Sequence, residues 1–234
     1  MIRQPAVAGS FYPADSARLD HDLDQLLKTK NPPQKAKAII VPHAGYVYSG
    51  GVAGELIAGT QIPKTVVLLG PNHQGAGHDV AVSGADSWAM PLGTVPIATT
   101  LREQLCKQID AVVVDERAHQ FEHSLEVMLP FLYRRQPDLQ IVPISIRSLS
   151  LDGAINLGSS LANLLDPLKD DILLLASSDM NHFLDAETTE ELDFMAISAM
   201  TSFEPELLYR TVRANRISMC GVLPAVVVMQ AAKQ

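Results

Sequence analysis

Cysteine is nearly absent from this 234-residue chain, and the two that occur, Cys106 and Cys220, lie far apart. Two distant thiols make no disulfide framework, which points to a reducing, cytoplasmic compartment. Charge is also scarce, at 19% of residues, and its balance is negative, with a net charge of -8 at neutral pH. No lysine- or arginine-rich stripe is present. That excludes a nucleic-acid partner, whose phosphates need a basic face. The amino terminus, MIRQPAVAGSFYP, lacks a basic segment followed by a long apolar one, so it does not read as a secretory leader. Long hydrophobic runs are missing too. The longest apolar stretch, around Val222 to Ala232, is interrupted by Pro224 and is too short to span a bilayer, so no membrane partner is expected. Nor is there an internal repeat, a low-complexity tract or a linker. Residues 1–234 are therefore expected to form a single domain.

What the chain has is apolar residues, 47% of the total, enough for a sizeable core. They fall into short runs separated by helix-like segments. Ala38 to Val41, Thr65 to Leu69, Leu139 to Ile146 and Ile172 to Ala176 read as buried parallel strands, which are apolar on both faces. Smaller strands and loops are expected from Asp79 to Ile97, and a short run covers Ala111 to Val114. The helices predicted between them start with one capped at Asp15 or Ser16, running to about Lys30 and stopped by Asn31-Pro32-Pro33. Others run from Gly50-Gly51 to about Ala58, from Thr99 to Gln108, from Glu122 to Arg135 and from Leu151 to Leu165. The helix from Glu122 to Arg135 carries Leu125, Met128, Leu129 and Leu132 on one face. The remainder is helical, broken at Glu204-Pro205 and at Met219-Cys220-Gly221. Strands alternating with helices predict an α/β fold with a central, largely parallel or mixed sheet flanked by helices.

Chemistry-bearing residues follow these runs. His43 sits after the first strand, between Pro42, which extends the chain, and Ala44-Gly45, where the backbone can turn tightly. His73 follows Gly70-Pro71-Asn72 after the second. In an open sheet the carboxyl ends of parallel strands converge on the ligand crevice. For either histidine alone, a loop imidazole bonded to a carbonyl is the competing reading; two on separate strands favour a site. Asp179 and His182 follow another strand, and a carboxylate beside an imidazole suits a general acid or base. Alternatively, Ser177, Ser178 and Asp179 cap the next helix. Cys220 precedes Gly221 at a helix start, where a thiol's pKa falls and its value as a ligand or nucleophile rises. Cys106, within a helical segment, reads as structural. His119 and His123 are four apart, but Glu122 looks like a helix start, which leaves His119 in the preceding loop and His123 lining the site. His21 and His78 lie in polar contexts and read as surface residues.

Taken in order, AGSFYP, PHAGYVYSG, LGPNH, EHSLEVMLPFL, SSDMNHF and MCG resemble the Memo family, whose fold is related to the catalytic subunit of class III extradiol dioxygenases. The resemblance covers nearly the whole chain. It implies that His43, His73 and Cys220 are metal-site residues, that His182 matches the dioxygenase acid/base position with Asp179 as its neighbour, and that His123, Ser10, Phe11 and Tyr12 line the same pocket. Where the related dioxygenases use two histidines and a glutamate, a set suited to non-haem Fe(II), a thiolate now stands. Fe(II) remains the expected metal, with copper or zinc as competitors. Family members usually continue for a few tens of residues past the CG motif's helix, through a strand that helps complete the sheet, whereas this chain stops at Gln234. The resemblance thus implies an exposed edge, or a strand supplied by another chain in an oligomer.

Two function classes follow. One is an iron-dependent oxidoreductase acting on an unidentified small molecule, with His182 moving a proton. The other is a non-catalytic peptide- or metal-binding protein that reuses the dioxygenase pocket. A hydrolase using Cys220 as nucleophile rests on residue types only. The resemblance further suggests a radical-SAM protein as partner; the chain itself has no CxxxCxxC motif for such chemistry.

Overall fold

The computed structural model describes residues 1–30, 32–168 and 170–234. In chain order the elements are β1 (Ile2–Arg3), α1 (Ser16–Leu26), β2 (Ala38–Val41), α2 (Tyr46–Ala58), β3 (Thr65–Pro71), β4 (Val80–Val82), β5 (Ser87–Met90) and β6 (Gly93–Pro96). They continue with α3 (Thr99–Gln108), β7 (Val113–Val114), α4 (Leu129–Arg135), β8 (Gln140–Ile146), α5 (Leu151–Leu165), β9 (Ile172–Ser177), α6 (Ala186–Thr201), α7 (Pro205–Ala214) and α8 (Val222–Lys233).

Six strands form the central sheet in the order β2-β9-β3-β8-β4-β7. The first four run parallel, β4 is antiparallel to β8, and β7 is parallel to β4. A smaller mixed sheet, β1-β5-β6, covers part of one face. The expected α/β architecture with a largely parallel, mixed sheet is thus the one observed, and β2 is an edge strand.

The unbroken apolar runs have a simple cause. Side chains alternate between faces, and both faces are covered. Val67, Leu69, Leu174 and Ile144 pack into one core with α3, α5, α6, α7 and α8, whereas Val66, Leu68, Leu173 and Leu175 pack into the other with α1, α2 and α4. Each fully buried aliphatic side chain of this kind contributes roughly 1.5–3 kcal/mol, so the two-sided strands are the fold's main hydrophobic anchor. Among the described residues no helix is long and apolar enough to cross a membrane.

Three boundaries differ from expectation. Helix α1 ends at Leu26, short of Lys30, because the next helix abuts it: a Cβ on Gly54 would lie only 2.3 Å from the Leu26 carbonyl oxygen. The stop expected at Asn31 lies outside the described residues. Helix α2 starts at Tyr46, so Gly50 and Gly51 lie inside it; a Cβ on Gly50 would sit tightly, 3.1 Å from the Leu26 side chain. The predicted helix from Glu122 to Arg135 is regular only over α4, preceded by a 3-10 turn at Glu126–Met128. Glu122 and Glu126 turn inward here instead of lining a polar helix face, and both are buried.

Glu126 anchors the amino terminus. It accepts hydrogen bonds from Arg3 Nη1 at 2.7 Å, the Ala6 and Val7 amides, and the Tyr12 hydroxyl. Arg3 also donates to the carbonyls of His119 and Glu122 and stacks over Trp88. Both ion-pair side chains are essentially inaccessible to water, at 2% and 0% exposure. Removing one partner strands the other charge. Glu126→Ala should therefore cost about 3–5 kcal/mol in urea unfolding, whereas Arg3→Met combined with Glu126→Leu should cost clearly less than the sum of the single changes. Additive losses would show that the pair is not coupled.

Candidate metal centre

Strands β2, β9, β3 and β8 present their carboxyl ends along one edge of the sheet, and the site is built there. His43 follows β2 by two residues, His73 follows β3 by two, and Asp179 follows β9 by two. His123 comes from the segment before α4, and Cys220 from the turn into α8. A Cβ at Gly221 would lie 2.3 Å from the Ser177 carbonyl oxygen, so only glycine lets this turn approach β9 closely enough to deliver Cys220.

His43, His73 and His123 each offer a ring nitrogen, and these atoms lie within 4.8 Å of one another. Cys220 Sγ is 3.4 Å from His43 Nε2, and its thiol is electrostatically coupled to His73. The rings of His73 and His123 stack, with centroids 4.6 Å apart.

The hydrogen bonds behind the rings fix their tautomers. Ser177 Oγ donates to the Ser124 carbonyl at 2.6 Å, so toward His43 it must accept. The proton of the 2.6 Å contact between His43 Nδ1 and Ser177 Oγ therefore belongs to the imidazole, and Nε2 faces the cluster, 3.4 Å from Cys220 Sγ. His73 Nδ1 donates to Glu122 Oε1 at 2.9 Å while its amide donates to Oε2 at 2.6 Å. Metal-bound histidines are usually held in this way, by a second partner on the outer nitrogen.

Electrostatics divide the groups by role. Burial works to raise the Glu122 carboxyl, but hydrogen bonds from His73 and the Ser124 amide, with the charges of His73 and His123, hold it at about 2. Burial likewise opposes charge on His73, yet its bonds to Cys220 and Glu122 raise it to about 10. His123 goes the other way: burial lowers it, Glu122 opposes this only in part, and the positive neighbours His73 and His43 bring it to about 4. It stays a neutral imidazole with a lone pair to give. The Cys220 thiol is pushed up by burial but pulled down further by His43 and His73, to about 6.

The remaining sequence-predicted residues are placed as follows. Asp179 Oδ1 accepts from the His43 and Ala44 amides, tying the end of β9 to that of β2. It caps no helix, since α6 starts at Ala186 and is capped by Asp185. His182 Nε2 is 3.7 Å from Asp179 Oδ2, outside hydrogen-bond range, and its ring is 33% exposed. Phe11 packs on His123 at 4.7 Å. Ser10 and Tyr12 share with Phe11 a groove of about 290 Å³ beside α1, and the Tyr12 hydroxyl turns away to Glu126. His119 is fully buried against Trp88, with Nε2 on the Ala81 carbonyl, and takes no part in the cluster. His21 and His78 are exposed. Sequence reasoning missed Glu122, Ser124 and Ser177 as the groups that hold the histidines. The only signal was that Glu122 and Ser124 flank His123.

In metal-free protein, alkylation of Cys220 should rise as pH increases through about 6 and level off above it, because the thiolate, not the thiol, reacts. His73→Ala should move that midpoint upward. A wild-type midpoint near the ordinary thiol value of 9 would contradict the assigned pairing.

The sequence model of a family described as Memo-like protein matches residues 3–234. A MEMO1 family protein from Aquifex aeolicus is 44% identical over 235 residues, covering 99% of this chain and 86% of its own. One from Sulfolobus acidocaldarius is 39% identical over 251 residues, covering 100% and 88%. An uncharacterized protein from Escherichia coli K12, known from a crystal structure, superposes with a TM-score of 0.54 at 19% identity, covering 75% of this chain and 78% of its own, a likeness of fold alone. With a family match spanning almost every residue and relatives this similar along their length, the chain belongs to the Memo-like protein family.

Proposed function

We propose that this protein holds a single metal ion through His43, His73 and Cys220, with His123 closing the fourth side, and that it acts as a metal-dependent oxidoreductase on a small molecule. The observation that carries this reading is the convergence of three imidazoles, with the outer nitrogens of His43 and His73 already hydrogen-bonded and the Cys220 thiol 3.4 Å from His43. Such a set fits a cation, since ring nitrogens and a sulfur face one another on the inner side while the outer nitrogens of His43 and His73 are bonded to the protein. Nitrogen and sulfur donors of this kind suit Fe(II), copper and zinc; iron and copper support oxygen chemistry, and zinc, which has no redox chemistry, does not. Bound there, the ion would supply a site for oxygen and substrate to meet and exchange electrons.

The protein's own contribution is positioning and proton handling. Glu122 keeps His73 and the His123 backbone in place. His123, neutral at ordinary pH, has a lone pair to offer the ion. His182, at the exposed edge beyond Asp179, is the candidate for moving a proton.

One observation favours the competing reading, a protein that binds a metal or peptide without turnover. His182 and Asp179 are 3.7 Å apart, so the expected acid/base pair is not assembled.

Metal content of protein purified without oxygen tests the proposal. Wild type should carry about one iron per chain, and His43→Ala, His73→Ala and Cys220→Ser should each lose most of it. Glu122→Gln should weaken affinity about 10–100-fold, the usual effect of removing a group that orients a ligand. His182→Ala should keep the metal and lose oxygen-consuming turnover; iron binding without any turnover in wild type would favour the non-catalytic reading. A protein that takes up neither Fe(II), Cu(I) nor Zn(II) would overturn the metal centre.

A further inference from the structure

Beside the metal centre lies a cleft of about 520 Å³, within the range of small-molecule sites, with His73 and Cys220 in its wall. Its lining has two characters. Ile146, Ile217, Met219 and Leu223 make an apolar flank, while Arg147, Arg213 and Arg216 make a basic one. In a chain of net charge -8, three guanidinium groups around one cleft are not a sample of the general surface.

Their bonding differs in a way that matters. Arg147, at the end of β8, is held by Asp79 at 2.9 Å and by the Gly75 carbonyl, so it stands as a fixed part of the wall. Arg213 and Arg216, at the end of α7, have no carboxylate within ion-pair distance among the described residues; Arg213 rests against the Tyr209 ring. Arg216 also holds a φ of 54°, a left-handed conformation that an arginine has no steric reason to prefer. The first turn of α8, with Val222 and Leu223, opens onto the same cleft and adds amide groups of like polarity.

We infer that this cleft receives a small organic oxyanion, a carboxylate or phosphate monoester on an apolar body, with Arg213 and Arg216 binding the charged end and the apolar flank directing the rest toward His73 and Cys220. Guanidinium groups pair with both oxyanions in the same forked geometry, so the recognition chemistry is shared. The inference names the substrate class for the metal centre and rests on that reading for what happens to the ligand, but recognition by the arginines needs no metal.

Calorimetric titration of benzoate and phenyl phosphate, with phenol as the neutral match, tests it in metal-free and Co(II)-loaded protein. At least one anion should bind both forms about tenfold or more tightly than phenol, more weakly as salt is raised, and the stronger of the two identifies the oxyanion. Arg213→Gln with Arg216→Gln should lose about tenfold in anion affinity while keeping the wild-type Tm and Co(II) stoichiometry. In the loaded protein the bound anion should also perturb the Co(II) visible spectrum. Anions that bind no better than phenol, that bind only the loaded form, or that ignore the double substitution would overturn the inference. If Co(II) fails to bind while arginine-dependent anion binding persists, the metal centre falls and the oxyanion cleft stands.

Discussion

The carboxylate of Glu122 is charged at a place where only 1% of its side chain meets solvent, and four hydrogen bonds keep it so. They come from the His73 amide, His73 Nδ1, and the His123 and Ser124 amides. A buried carboxylate without such partners costs several kcal/mol or takes up a proton. The geometry of the candidate site is what this requirement produces. Satisfying Glu122 turns the chain inward at residues 122 to 124, stacks His123 on His73 and leaves the Ser124 carbonyl to receive Ser177, which in turn holds His43.

The same segment carries a second buried carboxylate four residues on. Glu126 gathers Arg3, two backbone amides and Tyr12, which fastens the amino-terminal strap across the segment. Phe11 lies within that strap and packs on His123. Glu126 thus connects residues more than a hundred positions apart and Glu122 residues 49 apart, and the two inward charges explain why the stretch cannot be a regular helix. In a helix these glutamates would share one face, and the apolar residues from Leu125 to Leu132 could not all be buried as they are.

This contrast marks what is legible in sequence. Two-sided burial writes itself as continuous apolar runs, so β2, β3, β8 and β9 and the histidines just beyond two of them could be read directly. The turn that delivers Cys220 was marked by its glycine. Glu122 and Glu126 were not readable, because an acidic residue among leucines has the same signature whether it lines a polar helix face or sits buried on a distant partner. Arg3 is a residue of that kind, as are the serines behind His43: their partners are set by tertiary contact, which spacing does not encode. His123 was expected to line the pocket, and only its stacking on His73 reveals it as a donor within the cluster.

The charge pattern explains how such a cluster stays ordered around basic and acidic groups at once. Cys220 is drawn toward its thiolate by the same imidazoles that it helps to charge, and His73 is held between that thiolate and Glu122. One proton on His73 therefore stands between two anions and offsets one of their two charges. A divalent cation entering among these donors must displace that proton, since metal ligands bind in their deprotonated forms. Exchange of this kind adds one positive charge, so that a dication balances the two anions, and asks for little movement of His43 and His73, which are already tethered on their outer sides. Affinity then depends less on reorganising the site than on how strongly Glu122 holds His73 in place.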